Sequence, residues 1–138
     1  MIAEVTRTLY HHPLGDNDKN HKIRRKIMKY SNLMKVLDIC CKNKTLITIK
    51  WNNGCIFKSN RNYGSSEAYT TLDENDDAYK EYFACIVNIL EIIKYPVEKQ
   101  FAPQYGKLAV GSYLEISSEF NEPSQICSES GTIIWEKS

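Results

Sequence analysis

Residues 45–54, Thr-Leu-Ile-Thr-Ile-Lys-Trp-Asn-Asn-Gly, constrain this chain more than any other stretch. Ile47, Ile49 and Trp51 fall on one side of the alternation and Thr48 and Lys50 on the other, the two-residue period of a half-buried strand. Asn52-Asn53-Gly54 then supplies residues that tolerate positive φ, and 55–59 resumes a strand pattern. A β-hairpin is predicted. An isolated hairpin is marginal in water, so the rest of the chain must cover the Ile47–Ile49–Trp51 face.

Covering elements are legible on both sides. Upstream, residues 1–10 alternate in part (Ile2, Val5, Leu9), and 11–20 is polar and broken by Pro13 and Gly15, a loop. Asp18 can cap a helix from about Lys19 to Cys41, whose apolar positions Ile23, Ile27, Tyr30, Leu33 or Met34, Leu37 and Cys41 recur at three- and four-residue steps. Ser31-Asn32 is where that helix splits in two, if it splits, because both side chains compete for backbone hydrogen bonds. Downstream, a loop over 60–66 leads to a third strand over 67–72. The acidic run Asp73-Glu74-Asn75-Asp76-Asp77 then opens a predicted helix from about Asp76 to Lys94, ended before Pro96. The rival reading of its second part is a strand through 83–93. Residues 95–106 form a connection, 112–118 alternates, Asn121-Glu122-Pro123 turns, 125–128 is a brief strand, and Ser130-Gly131 leads into a last strand over 132–136. The predicted fold is α+β: one domain over 1–138 with 1–20 loosely attached, and a largely antiparallel sheet packed with two or three helices.

Composition and charge narrow the function classes. A chain of 138 residues buries about two-thirds of its unfolded surface, enough to fold without staples. The longest apolar run, 82–87, is far short of a membrane span, and the first twenty residues hold no apolar signal-peptide core. The five cysteines, Cys40, Cys41, Cys55, Cys85 and Cys127, are odd in number and have no Cys-x-x-Cys spacing, which predicts free thiols in a reducing cytoplasm. Net charge is +1, but residues 1–58 carry 12 Lys/Arg against 4 Asp/Glu, and residues 59–138 carry 6 against 13. The two halves either form opposed charged faces or neutralise each other within one fold.

Catalytic patterns are missing: the glycines are isolated, no Gly-x-Ser-x-Gly elbow occurs, and no cysteine has a histidine nearby in sequence. His11, His12 and His21 with Asp16 and Asp18 form the one His/carboxylate cluster. Adjacent histidines seldom share an ion and no recognised ligand spacing completes the set, so a solvated loop is expected, with no metal and no cofactor. The basic run Lys22, Arg24, Arg25, Lys26 and Lys29 can meet phosphates, but without an aromatic platform it reads first as a solvated helix face. The feature that points most directly to function is Asp73, Glu74, Asp76, Asp77 and Glu81, with Tyr79 and Tyr82. Carboxylates beside aromatics suit a protein partner with a basic site, charge speeding the encounter and tyrosine supplying contact energy. The partner-binding set is therefore Asp73, Glu74, Asp76, Asp77, Tyr79 and Glu81.

From Leu33 to Glu136 the succession of elements resembles small intracellular immunity proteins of bacterial toxin–immunity systems, including those of contact-dependent growth inhibition. A short helix precedes Thr-Leu-Ile-Thr-Ile-Lys-Trp-Asn-Asn-Gly. The acidic Asp-Glu-Asn-Asp-Asp-Ala-Tyr-Lys-Glu-Tyr leads into an apolar segment, and Tyr-Leu-Glu-Ile-Ser, Glu-Pro-Ser-Gln-Ile and Ser-Gly-Thr-Ile-Ile-Trp-Glu close the chain. Such proteins share no universal binding residue, so the resemblance carries over no site. It implies a cytoplasmic, non-enzymatic inhibitor that binds the toxic domain of a cognate effector, a nuclease in many such systems, and blocks its active site. The alternative is a nucleic-acid-associated adaptor using the basic run 22–29.

Overall fold

A computed structural model describes residues 30–70, 72–97 and 108–138. The partly alternating residues 1–10, the histidine loop, the basic run 22–29 and most of the 95–106 connection lie outside the described residues.

Helix α1 (Asn32–Asn43) starts where the sequence places the break, with Ser31 as its N-cap: the Ser31 Oγ accepts from the Met34 N–H at 3.3 Å. Leu33, Met34, Leu37 and Cys40 are its buried stripe. Lys44, at φ +53, ends it, and the Thr45 N–H closes back on the Cys40 carbonyl at 3.0 Å.

Eight strands follow among the described residues. β1 (Ile47–Lys50) and β2 (Ile56–Ser59) are the expected hairpin, paired Ile47 with Ser59 through Lys50 with Ile56. Its turn closes with Gly54 N–H to the Trp51 carbonyl at 3.1 Å and Trp51 N–H to the Cys55 carbonyl at 2.9 Å. Gly54 sits at φ +93, and an added Cβ would press 3.4 Å from a Val97 methyl. β3 (Asn62–Tyr69), β4 (Glu81–Asn88) and β6 (Tyr113–Ile116) form one antiparallel sheet in the order β3-β4-β6. β5 (Glu91–Lys94), β7 (Gln125–Ser128) and β8 (Ile133–Glu136) join the hairpin in a second sheet, ordered β5-β2-β1-β7-β8.

The α+β class and the antiparallel pairing agree with the sequence reading, and the helix count does not. Among the described residues there is one helix, and the predicted helix over 76–94 is replaced by a turn followed by β4 and β5. The physical reason is β4's central position. Tyr82 and Ala84 are buried on one face of its sheet, Cys85 and Val87 on the other, so the two-residue alternation is erased and the segment reads as one apolar run. The predicted 60–66 loop is also corrected: β3 begins at Asn62 with a register shift between Asn62 and Ser65. Gly64, at φ +76, takes the bulge there. A Cβ on it would meet the Asp38 carboxylate at 3.5 Å and the Cys41 sulfur at 3.9 Å. This is where α1 docks: Asp38 accepts from the Ser65 N–H at 2.6 Å and the Ser65 hydroxyl at 2.7 Å, and also from the Tyr30 hydroxyl.

The core lies between the sheets and α1. Ile47, Ile49, Phe57 and Ile126 from one sheet meet Val87, Leu114 and Ile116 from the other, with Leu33, Met34 and Leu37 from the helix. Cys55 and Cys85 are buried among them as small apolar side chains, and burial pushes the Cys55 thiol up to about 11 and Cys85 higher still. All five cysteines are free.

Two asparagines tie the sheets together. The chain passes between sheets through the two-residue links Asn60-Arg61 (β2 to β3) and Ile89-Leu90 (β4 to β5). Asn88 stands at both. Its Oδ1 accepts from the Ser59 hydroxyl (2.7 Å), the Asn60 N–H (3.0 Å) and the Arg61 N–H (2.9 Å), and its Nδ2 donates to the Asn60 Oδ1 (2.7 Å). Elsewhere, Asn121 accepts from the Ser117 N–H at 2.9 Å and donates to the Glu115 carbonyl at 2.8 Å, while its own carbonyl takes the buried Trp51 indole N–H at 2.7 Å.

Charge does not sort by sequence half among the described strands. The five-stranded sheet interleaves β1 and β2 with β5, β7 and β8, and Lys58 faces Glu91 at 3.8 Å across that join.

Urea denaturation checks this packing. Leu37→Ala should cost about 3 kcal/mol, whereas Ile39→Ala, 59% exposed on the same helix, should stay within about 0.5 kcal/mol. Asn88→Ala leaves two backbone N–H groups without their acceptor and should cost about 2 kcal/mol. A cost near zero would show that water replaces the amide.

Candidate partner-binding surface

The acidic residues of the 73–81 segment lie on the connection between β3 and β4, not at a helix start. The base of the connection is clamped by the Thr70 N–H donating to the Lys80 carbonyl at 3.0 Å and the Lys80 N–H donating to the Thr70 Oγ1 at 3.2 Å. Within it, two consecutive turns share one construction. Asp73 accepts from the Asn75 N–H through its side chain (2.9 Å) and from the Asp76 N–H through its carbonyl (2.9 Å). Asp76 repeats this with the Ala78 N–H (2.8 Å) and the Tyr79 N–H (3.0 Å). Aspartates that would cap a helix here close successive turns through their own backbone.

The candidate residues divide by exposure. Asp73, Asp76 and Asp77 are exposed, while Glu74, Tyr79 and Glu81 are half-buried. The Tyr79 hydroxyl donates to Glu81 at 2.9 Å and its ring lies 6.5 Å from that of Tyr69, so these two side chains brace the turn from below. Tyr82 does not join them. It is 1% exposed, packs edge-on against Phe120 with centroids 5.0 Å apart, and its hydroxyl donates to the buried Glu115 at 3.3 Å.

The fold adds carboxylates that sequence spacing does not reveal. β6 runs antiparallel to β4, with Cys85 opposite Ile116, so the 117–122 turn after β6 lies at the same end of the sheet as the acidic connection. Glu119 stands there, close enough for the Lys80 ammonium to act on its charge. The surrounding protein raises the Glu119 carboxyl above its ordinary range. Its own backbone N–H and Lys80 oppose that rise, and the Glu122 charge reinforces it. Glu119 lies 38 positions beyond Glu81 in the chain, and only the β4–β6 register brings the two segments together.

Among the described residues no group of three or more His, Cys, Asp and Glu side chains is arranged to hold a metal ion, and no helix is long and apolar enough to cross a membrane. The arrangement offers a rigid turn carrying exposed carboxylates, with half-buried phenols beneath it.

A family model described as "Cognate immunity protein YxxD" matches residues 28–138. No curated protein and no solved structure matches the chain.

The Glu119 environment fixes a pH dependence. A carboxyl raised in the folded state favours the protonated form there, so its contribution to stability is present below its ordinary value of 4.5 and is lost as pH rises through the folded value. Urea titrations from acid to neutral pH should show Glu119→Gln gaining stability relative to the native chain as pH rises, with no gain at the acid end. A pH-independent difference would remove the shift.

Proposed function

The chain belongs to the YxxD family of cognate immunity proteins, and from that membership we propose that it binds the toxic domain of its partner through the acidic β3–β4 connection and occludes the active site. The partner is a toxin protein, as the family implies. In this reading it is a nuclease, the chain is a cytoplasmic bacterial inhibitor, and it acts by binding and not by catalysis.

The observation that carries this reading is the double aspartate turn. Its backbone is fixed by its own side chains, so little ordering entropy is lost when a partner engages it. Asp73, Asp76 and Asp77 stay exposed on it. A nuclease cleft is lined with cations that bind phosphates, and carboxylates on a stiff, protruding turn can stand where phosphates would lie. Tyr79 and Glu81, braced together below, hold the turn at the edge of the sheet.

Two measurements test the proposal. The first is co-expression of the tagged chain with the protein encoded beside it in the genome: a stoichiometric complex with a neighbour that is toxic alone is expected. Elution of the chain alone, next to a harmless neighbour, would end the reading, and binding to mixed RNA would then favour the nucleic-acid alternative. The second is association kinetics. Asp76→Lys with Asp77→Lys should slow the on-rate about tenfold at low salt, with the difference shrinking as salt is added. An unchanged on-rate at low salt counts against this surface.

A further inference from the structure

Carboxylates at one end of the three-stranded sheet are matched by a different chemistry at the other. The Asn60-Arg61 link, Tyr63 at the start of β3 and Tyr113 at the start of β6 meet there, roughly 20 Å along β3 from the acidic connection. The two phenol oxygens are 3.3 Å apart and the rings 5.7 Å apart. The Arg61 guanidinium faces both phenols, and Tyr63 is held below the ordinary tyrosine range by its hydrogen bonds to Tyr113 and to Arg61. Tyr63 is 57% exposed, and the neighbouring turns expose Leu90 and Val110 at 42% and 61%. These turns are joined to the same end by Asn88 N–H to the Arg61 carbonyl (2.8 Å) and Gly111 N–H to the Ile89 carbonyl (2.9 Å).

Three properties separate this patch from an ordinary solvated surface. Its backbone is pinned: Asn88 binds Ser59, Asn60 and Arg61 through one amide, so Arg61 is presented on a rigid link. Its charge has room for a partner group, since among the described residues no carboxylate lies within 4.0 Å of Arg61 or of Lys44. It also borders a cavity of about 460 Å³ whose lining includes Lys44, Thr45, Asn60, Arg61 and Asn62. Arginine and tyrosine, held rigid among exposed apolar side chains, have the composition of the few residues that dominate protein interfaces.

We propose that Arg61, Tyr63 and Tyr113 form a second contact for the cognate toxin domain, in which a carboxylate of the toxin meets the Arg61 guanidinium while its apolar neighbours pack on the two tyrosines. The proposal rests on the reading that this chain binds a toxin protein, and a protein partner is what the tyrosine and leucine surface fits. The guanidinium gives a two-pronged match to a carboxylate. Such a contact acts after encounter, on the lifetime of the complex, whereas the exposed carboxylates at the other end act on the encounter rate.

The test uses the full chain and the toxin domain encoded beside it, with rates measured by surface plasmon resonance and folding checked by thermal melts. Arg61→Ala and Tyr63→Ala should each weaken affinity about tenfold or more, chiefly through faster dissociation. Tyr113→Phe, which keeps the ring, should cost less. Arg61→Gln retains the stem and serves if the alanine variant melts early. Asp76→Lys with Asp77→Lys should slow association and leave dissociation nearly unchanged. Native binding with the Arg61 and Tyr63 variants within twofold of it overturns this contact while leaving the acidic reading intact. Loss in the Arg61 variants with no effect of the aspartate pair supports this contact and removes the acidic one. If the native chain does not bind the toxin domain, or if Arg61→Ala reduces binding to mixed RNA and not to the toxin, the proposal fails.

Discussion

The structure depends on one amide. Two of the crossings by which the chain passes between the sheets are links of only two residues. At each link the backbone leaves one ladder before it enters the next, which strands N–H groups that no strand can satisfy. The Asn88 side chain collects those of Asn60 and Arg61 together with the Ser59 hydroxyl, and returns a donor to the Asn60 side chain. A carboxylate there would accept as many bonds but could not donate, and it would place a charge between the sheets. With the links fixed to each other, Phe57 and Ile49 stay opposite Val87 and Ile116 in the core. Asn121 plays the matching part for Trp51 and the turn after β6.

This joint also decides which surfaces are left for function. The inner faces of both sheets are spent on the main core, and Ala68, Tyr82, Ala84 and Phe120 pack on the other face of the three-stranded sheet. Among what projects are the ends of that sheet. One end carries Asp73, Asp76 and Asp77 on a self-braced turn, and the other carries Arg61 and Tyr63 on the link that Asn88 pins. The acidic turn is held by hydrogen bonds two and three residues away, and the Arg61 link by the side chain of Asn88 on β4, so each is fixed before anything docks on it.

How much of this was legible in the sequence follows from burial. The β1–β2 hairpin was readable because one of its faces is buried and the other is not, which leaves the alternation Ile47, Thr48, Ile49, Lys50 intact. β7 and β8, whose burial does not alternate, were readable from the turn signals around them, with Gly131 at φ +92 marking the turn between them. β4 was not. Buried on both faces, it loses alternation, and the carboxylates before it imitate a helix start. Asn88 is the one polar residue inside the 82–90 run and marks the true break, but single polar residues occur in helices as well. The acidic candidates were visible as a cluster; Glu119 was not, since its place beside Lys80 depends on the β4–β6 register. Arg61 and Tyr63 sat in a segment that reads as loop, because the bulge at Gly64 breaks the strand pattern there.

The failed helix bears directly on the function. In a helix, first-turn carboxylates face free N–H groups and the positive end of the dipole, which partly neutralise them. In the double turn, Asp73 and Asp76 each give one oxygen to a backbone N–H, and their second oxygens stay in solvent beside Asp77. Glu119 and Glu122 stand at the same end, with Lys80 near the first and Lys137 paired to the second at 3.4 Å. Like charges gathered at one end of a sheet oppose folding, and the Glu119 carboxyl, raised first by loss of solvent, is raised further by the charge of Glu122. A basic partner of the kind proposed would relieve this repulsion on docking, so that charge that weakens the free protein would strengthen the complex.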